Sequence, residues 1–181
     1  DWYRKRNIPV DPEEVFISSG ASDELGDLLH LFERSLPAMI PEPAYPAYAD
    51  ANLMDGRKII FPGTDIENGF QPLVPEEDLT ALIYLCSPDN PTGAVFPAET
   101  LQRIVELAAK YNAVIVTDEV YEHLTFGPRH IPVATLPGAG DRTLTISSAG
   151  KTFSLTGWKI GWLTGPAELV AAVRTVKSFL T

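Results

Sequence analysis

Cysteine is almost missing from this chain: Cys86 is the only one in 181 residues. No intrachain disulfide can form, and a reducing compartment, the cytoplasm, is the expected setting. Positive charge is also short. Fourteen Lys and Arg against 24 Asp and Glu leave a formal net charge of −10. That balance argues against general binding to nucleic acid or to an anionic membrane, but it leaves room for a local cationic pocket around one phosphate. No stretch is long and apolar enough to span a bilayer, and the N-terminus lacks the pattern of a signal peptide. His30, His123 and His130 have no metal-ligand spacing with one another or with Cys86, so they are read as surface or core residues. Two glycine motifs fail as well. A P-loop ending in Gly150-Lys151-Thr152 would need glycine where Thr145 stands, and Gly138-Ala139-Gly140 lacks the third glycine of a dinucleotide fingerprint.

What is present is the composition of an ordinary globular domain, 45% hydrophobic and 21% charged. There is no low-complexity tract and no repeat of solenoid period. Both ends read as cut. Residues 1–6 look like the end of a helix whose beginning is absent, and the last helix runs to Leu180 without a cap or breaker. A piece of a longer chain is therefore expected.

Apolar runs predict strands at Val15–Ser18, Lys58–Phe61, Ala81–Cys86, Ala113–Thr117 and Thr143–Ile146. Helical spacing follows Ser22, covers Ala49–Leu53 and Ala98–Tyr111, and resumes after Pro166, where Arg174 and Lys177 suit the helix's negative end. The stretch from Pro62 to Glu77 reads as a long polar loop. Alternation of this kind implies an α/β fold, a three-layer αβα sandwich around a mainly parallel sheet.

Ligands of such sheets bind beyond the carboxyl ends of the strands, and the chemistry-bearing residues cluster there. Lys151, on a loop beyond the strand ending at Ile146, offers an amine able to form a Schiff base with a carbonyl cofactor. Ser148 and Lys159 suit a phosphate nearby. Gly20, Ala21 and Ser22 follow Ser18 at a helix start, where free amides attract an anion. An ordinary helix entry capped by Ser19 or Ser22 has the same composition. In Glu42-Pro43-Ala44-Tyr45-Pro46-Ala47-Tyr48, prolines fix the backbone so that a tyrosine can stack on a flat ring; covering the core edge is the plainer alternative. Asn90, held in Ser87-Pro88-Asp89-Asn90-Pro91-Thr92-Gly93, carries a donor and an acceptor in one group. Asp118 could cap a helix, bind magnesium or pair with a protonated ring nitrogen, and the failed P-loop disfavours the second. Glu119, one residue on, should point elsewhere.

The segment from Ser148 to Trp162 resembles the pyridoxal-phosphate lysine segment of fold-type I aminotransferases, most closely the kynurenine and N-succinyldiaminopimelate branch. Tyr45-Pro46-Ala47-Tyr48 and Glu67-Asn68-Gly69-Phe70 are similar to LL-diaminopimelate aminotransferases. Asn90-Pro91-Thr92-Gly93 and Asp118-x-x-Tyr121 match further motifs of the same family, in the same order.

The resemblance implies pyridoxal 5'-phosphate as cofactor, tethered through a buried Lys151 amine. Asp118 would pair with the ring nitrogen, Asn90 and Tyr121 would meet the ring oxygen, and Tyr45 would cover the ring face. Gly20, Ala21, Ser22, Ser148 and Lys159 would hold the phosphate. Lys151, Asp118 and Tyr121 are the implied catalytic residues, and amino-group transfer between an amino acid and a 2-oxo acid is the implied reaction. It further implies that residues 1–181 are the cofactor-binding major domain of a homodimeric enzyme, with the small domain that binds the substrate carboxylate absent. Carbon–sulfur lyases and synthases share this fold and much of the constellation, and a non-catalytic cofactor-binding fragment is the other reading.

Overall fold

Strand β4 (Leu82–Cys86) is buried along its whole length, so it needs cover on both faces. The period of two divides it. Ile83 and Leu85 pack with Leu101, Ile104, Val105 and Ala108 of helix α3 (Ala98–Lys110). Leu82, Tyr84 and Cys86 pack on the other side with Leu25 and Leu28 of α1 (Ala21–Leu29), Tyr48 of α2 (Pro46–Met54), and Val170 and Val173 of α5 (Ala167–Leu180). The computed structural model describes residues 3–6, 8–73 and 81–180, and in these the expected three layers are present. The end of the polar loop expected from Pro62 to Glu77 lies outside the described residues, as do Asp1 and Trp2.

Seven strands form one sheet in the order β1-β7-β6-β5-β4-β2-β3. Beside β4 lie β1 (Val15–Ser18), β2 (Ala38–Met39), β3 (Ile59–Ile60), β5 (Val114–Asp118), β6 (Thr143–Ser148) and β7 (Gly161–Thr164). All pairings from β3 across to β6 are parallel, whereas β7 runs against both neighbours, with Gly161 opposite Ser148 on one side and Ser18 on the other. Strands β2 and β7 were not expected from sequence. β2 has two residues, too few for a period, and β7 is hidden in the tail of the lysine segment.

Two tethers fix α1. Lys177 of α5 reaches Asp23 at 2.6 Å and Asp27 at 3.8 Å, so it serves α1 as well as its own helix end. Arg174 donates to the carbonyls of Pro12 and Val15. Arg57, only 2% exposed, donates to the carbonyls of Leu29, Phe32, Glu33 and Leu36 and so satisfies the backbone that follows α1.

Candidate active site

β6 ends at Ser148, whose hydroxyl accepts a bond from the Gly150 amide at 3.2 Å and caps α4 (Ala149–Thr152). A hydroxyl that accepts in this way keeps its own proton free to donate. Lys151 therefore stands on a short helical turn and is exposed to solvent, which corrects both the loop position and the buried amine expected from sequence. The cap is the cause: it coils residues 149–152 just beyond the sheet edge. The Ala149 amide donates to the Ile160 carbonyl at 3.0 Å, and Thr156 Oγ1 donates to the Gly150 carbonyl at 3.2 Å. These bonds fold the segment back on itself and bring Lys159, in the left-handed region at φ 52°, to the same cavity as Lys151.

Asp118 closes β5 and is 7% exposed. Burial pushes its carboxyl up from the ordinary aspartate value; a bond from Tyr48, a bond from the Val120 amide and the charge of Lys151 pull the other way. Tyr48 Oη donates to Asp118 Oδ2 at 2.6 Å, and the Val120 amide donates to Oδ1 at 3.1 Å. Burial first, and the adjacent Asp118 second, raise the Tyr48 phenol well above its usual range, so it stays a donor. Sequence reasoning missed Tyr48. The segment it belongs to was expected to be fixed by its prolines, with a helix over Ala49–Leu53; the helix in fact opens at Pro46, with Tyr45 as the N-cap. Three residues on, Tyr48 turns inward, stacks on Tyr84 at 6.0 Å and meets the Tyr45 ring edge-on at 5.6 Å. The i, i+3 spacing from Tyr45 was the available signal. Glu119 faces away, as expected, accepting from the Val133 amide at 3.0 Å and bonding His130 Nε2 at 2.9 Å.

Asn90 sits in a turn held by Asp89, which accepts from the Thr92 amide and hydroxyl at 3.2 and 2.6 Å while its own amide donates to the Ala94 carbonyl. Opposite it, α1 begins without a side-chain cap. Gly20 is the N-cap at φ 127°, a conformation that favours glycine, so neither Ser19 nor Ser22 caps the helix. The first amides of such a helix have no partner within it, which suits an anion. β7 presses close here. A Cβ on Gly161 would stand 2.7 Å from the Gly20 Cα and 2.8 Å from Ser18 Oγ.

One cavity of about 390 Å³ is lined by all ten residues singled out from sequence. Gly20, Ala21 and Ser22 form one wall, Ser148, Lys151 and Lys159 another, and Tyr45, Asn90, Asp118 and Tyr121 the remainder. Lys151 Nζ lies 5.6 Å from the centre of the Tyr121 ring. Size does not distinguish this cavity, since two others measure about 400 and 450 Å³. Its chemistry does: two amines, a buried carboxylate and a helix start face one space.

The sequence profile described as aminotransferase class I and II matches residues 1–181. The chain belongs to this aminotransferase family. It is 41% identical to a probable N-succinyldiaminopimelate aminotransferase of Mycobacterium tuberculosis, over 98% of this chain and 48% of that one. It is 38% identical to kynurenine–oxoglutarate transaminase 3 of Rattus norvegicus, over 93% of this chain and 41% of the relative. Among solved aminotransferases, the N-succinyldiaminopimelate enzyme of Mycobacterium tuberculosis superposes with a TM-score of 0.84 at 39% identity, over 99% of this chain and 50% of that one. The chain thus spans about half the length of the aminotransferases it matches.

Proposed function

We propose that residues 1–181 are the cofactor-binding major domain of an aminotransferase that moves an amino group between an amino acid and a 2-oxo acid. The observation that carries this reading is the meeting of Lys151 and Asp118 on one cavity with a helix start. The donor set fits pyridoxal 5'-phosphate. A buried carboxyl held by Tyr48 and Val120 suits a ring nitrogen that brings its own proton, and about 390 Å³ lies in the range of small-molecule sites. When bound, the cofactor supplies an aldehyde that takes up the amino group and a protonated ring that draws electrons from the substrate's α-carbon.

The chain's own residues then divide the work. Lys151 Nζ would hold the aldehyde and, when its amine is free, would be the base that accepts the substrate's α-proton. Asp118 holds the proton on the ring nitrogen. Its raised proton affinity reflects burial that the Tyr48 and Val120 bonds and the Lys151 charge do not offset, and a cationic ring would supply a further counter-charge. Tyr48, by donating to Oδ2, favours the ionised carboxylate and fixes its position. Asn90 and Tyr121 are assigned to the ring oxygen and Tyr45 to the ring face. The amides of Gly20, Ala21 and Ser22, the Ser148 hydroxyl and the Lys159 ammonium hold the phosphate. A homodimer of the whole enzyme and a cytoplasmic setting belong to the same reading; among the described residues no helix is long and apolar enough to cross a membrane.

Borohydride reduction in the presence of pyridoxal phosphate, followed by peptide mapping, tests the site. The label is expected on Lys151 and is expected to vanish in Lys151→Ala. Label spread over surface lysines in both proteins would remove the basis for the assignment.

A further inference from the structure

Glu24 is a carboxyl close to the cavity's helix start that the proposed reaction does not use. It lies in the first turn of α1, where an acid is ordinarily a solvated partner of the helix dipole, yet it is fully buried. Its Oε1 accepts from Ser18 Oγ at 2.6 Å, and its Oε2 has no hydrogen-bond partner among the described residues. Ser18 Oγ in turn accepts from the Gly20 amide at 3.2 Å. One hydroxyl thus links the buried carboxyl to the peptide that opens the helix. Having given its proton to Glu24, Ser18 is left as an acceptor for Gly20, the N-cap after which the Ala21 and Ser22 amides have no partner within the helix.

The charges around Glu24 oppose its ionisation. Burial is the largest influence and pushes the carboxyl up to about 8; the Ser18 bond lowers it, and Asp118, Asp23 and Asp27 raise it in that order. Lys177 of α5 pairs with Asp23 and Asp27. At neutral pH the cradle therefore rests on an uncharged acid. An anion there would be placed close to any phosphate bound at the same helix start.

We propose that Glu24 is a positioning residue for the anion cradle: its carboxyl holds Ser18, Ser18 holds Gly20, and ionisation of Glu24 weakens phosphate binding at Ala21 and Ser22 by placing a negative charge beside the bound anion. This rests on reading the cavity as the site of a phosphate-bearing cofactor. Linkage makes it reciprocal, so that a bound anion also keeps the proton on Glu24.

The test uses inorganic sulfate, whose charge is constant in this range, titrated calorimetrically at about pH 7 and about pH 9.5, with an expected loss of affinity of about tenfold in the native protein. Glu24→Gln keeps an acceptor for Ser18 and cannot ionise, so its affinity should match the native value at the lower pH and change little at the higher. Any titration of the cavity lysines is common to both proteins and cancels in the comparison. An equal loss in both, or no loss in either, overturns the proposal. Should Glu24→Gln not fold, Ser18→Ala carries the test, because it cuts the link without touching the carboxyl. Sulfate binding about threefold or more weaker at neutral pH is then expected, and unchanged binding overturns the role. Borohydride labelling with pyridoxal phosphate at both pH values separates the two failures. Lys151 labelled while sulfate affinity is indifferent to Glu24 defeats only this inference; no labelling and no sulfate binding at neutral pH defeats the cofactor reading and this inference with it.

Discussion

Two demands oppose each other at Asp118. Burial favours the neutral acid, while the chemistry assigned to it needs the anion, and Tyr48, through a 2.6 Å bond, is the largest influence acting against burial. Replacing Tyr48 by Phe removes that donor and drives the Asp118 carboxyl further up. With a bond to a charged acceptor worth about 1.5–3 kcal/mol, deuterium exchange at the substrate α-carbon should slow by about tenfold or more in Tyr48→Phe, while borohydride still labels Lys151. An exchange rate equal to the native one would show that Tyr48 only fills space. Lys151, Asp118 and Asn90 were legible in the sequence because each lies just past an apolar run, where a strand must end. Tyr48 was not, since its direction depends on Pro46 starting a helix and its partner lies far away in the chain. Glu24 and Arg57 were illegible for a related reason. Charged residues read as surface residues, and only the fold shows a hydroxyl or four carbonyls waiting for them.

At the level of elements, the site is a junction between the β1–α1 turn and the β6–β7 connection. Gly161 makes the junction possible, because backbone stands within 3 Å of where its Cβ would be. Gly161→Ala should cost about 1–3 kcal/mol in urea unfolding and weaken cofactor retention in the same protein. Gly26, in the middle of α1, has nothing within 4 Å of the added Cβ and no positive φ. Gly26→Ala should therefore stabilise the protein by about 0.5–1 kcal/mol, and two equal outcomes would refute the distinction. The long strands β4 and β5 could be read from their apolar runs. β7 could not, because its four residues carry the end of a motif, and the sheet partner that forces Gly161 into place lies at the opposite end of the sequence.

Over the whole molecule, acidic groups dominate both the count and the interior. Glu24, Asp27, Asp89 and Asp118 are all raised, each by burial before any other cause. A carboxyl raised on folding keeps its proton while its unfolded counterpart has lost it, so stability present in acid is lost as pH climbs from the ordinary carboxylate range through the folded value. For Glu24 that window runs from 4.5 to about 8. The urea midpoint of the cofactor-free protein should fall across this window and less steeply in Glu24→Gln; identical slopes would contradict the neutral buried acid. The α/β architecture itself was legible, since alternation of apolar runs and helical spacing needs no partner to be seen. The direction of β7 was not, and it governs the order of assembly. Of the seven described strands, synthesis delivers β1 first and β7 last, and among the described residues β1 pairs with β7 alone. The lysine arm can close locally with β6 as soon as it emerges, whereas the phosphate end waits as an open edge until the ribosome has made the other described strands.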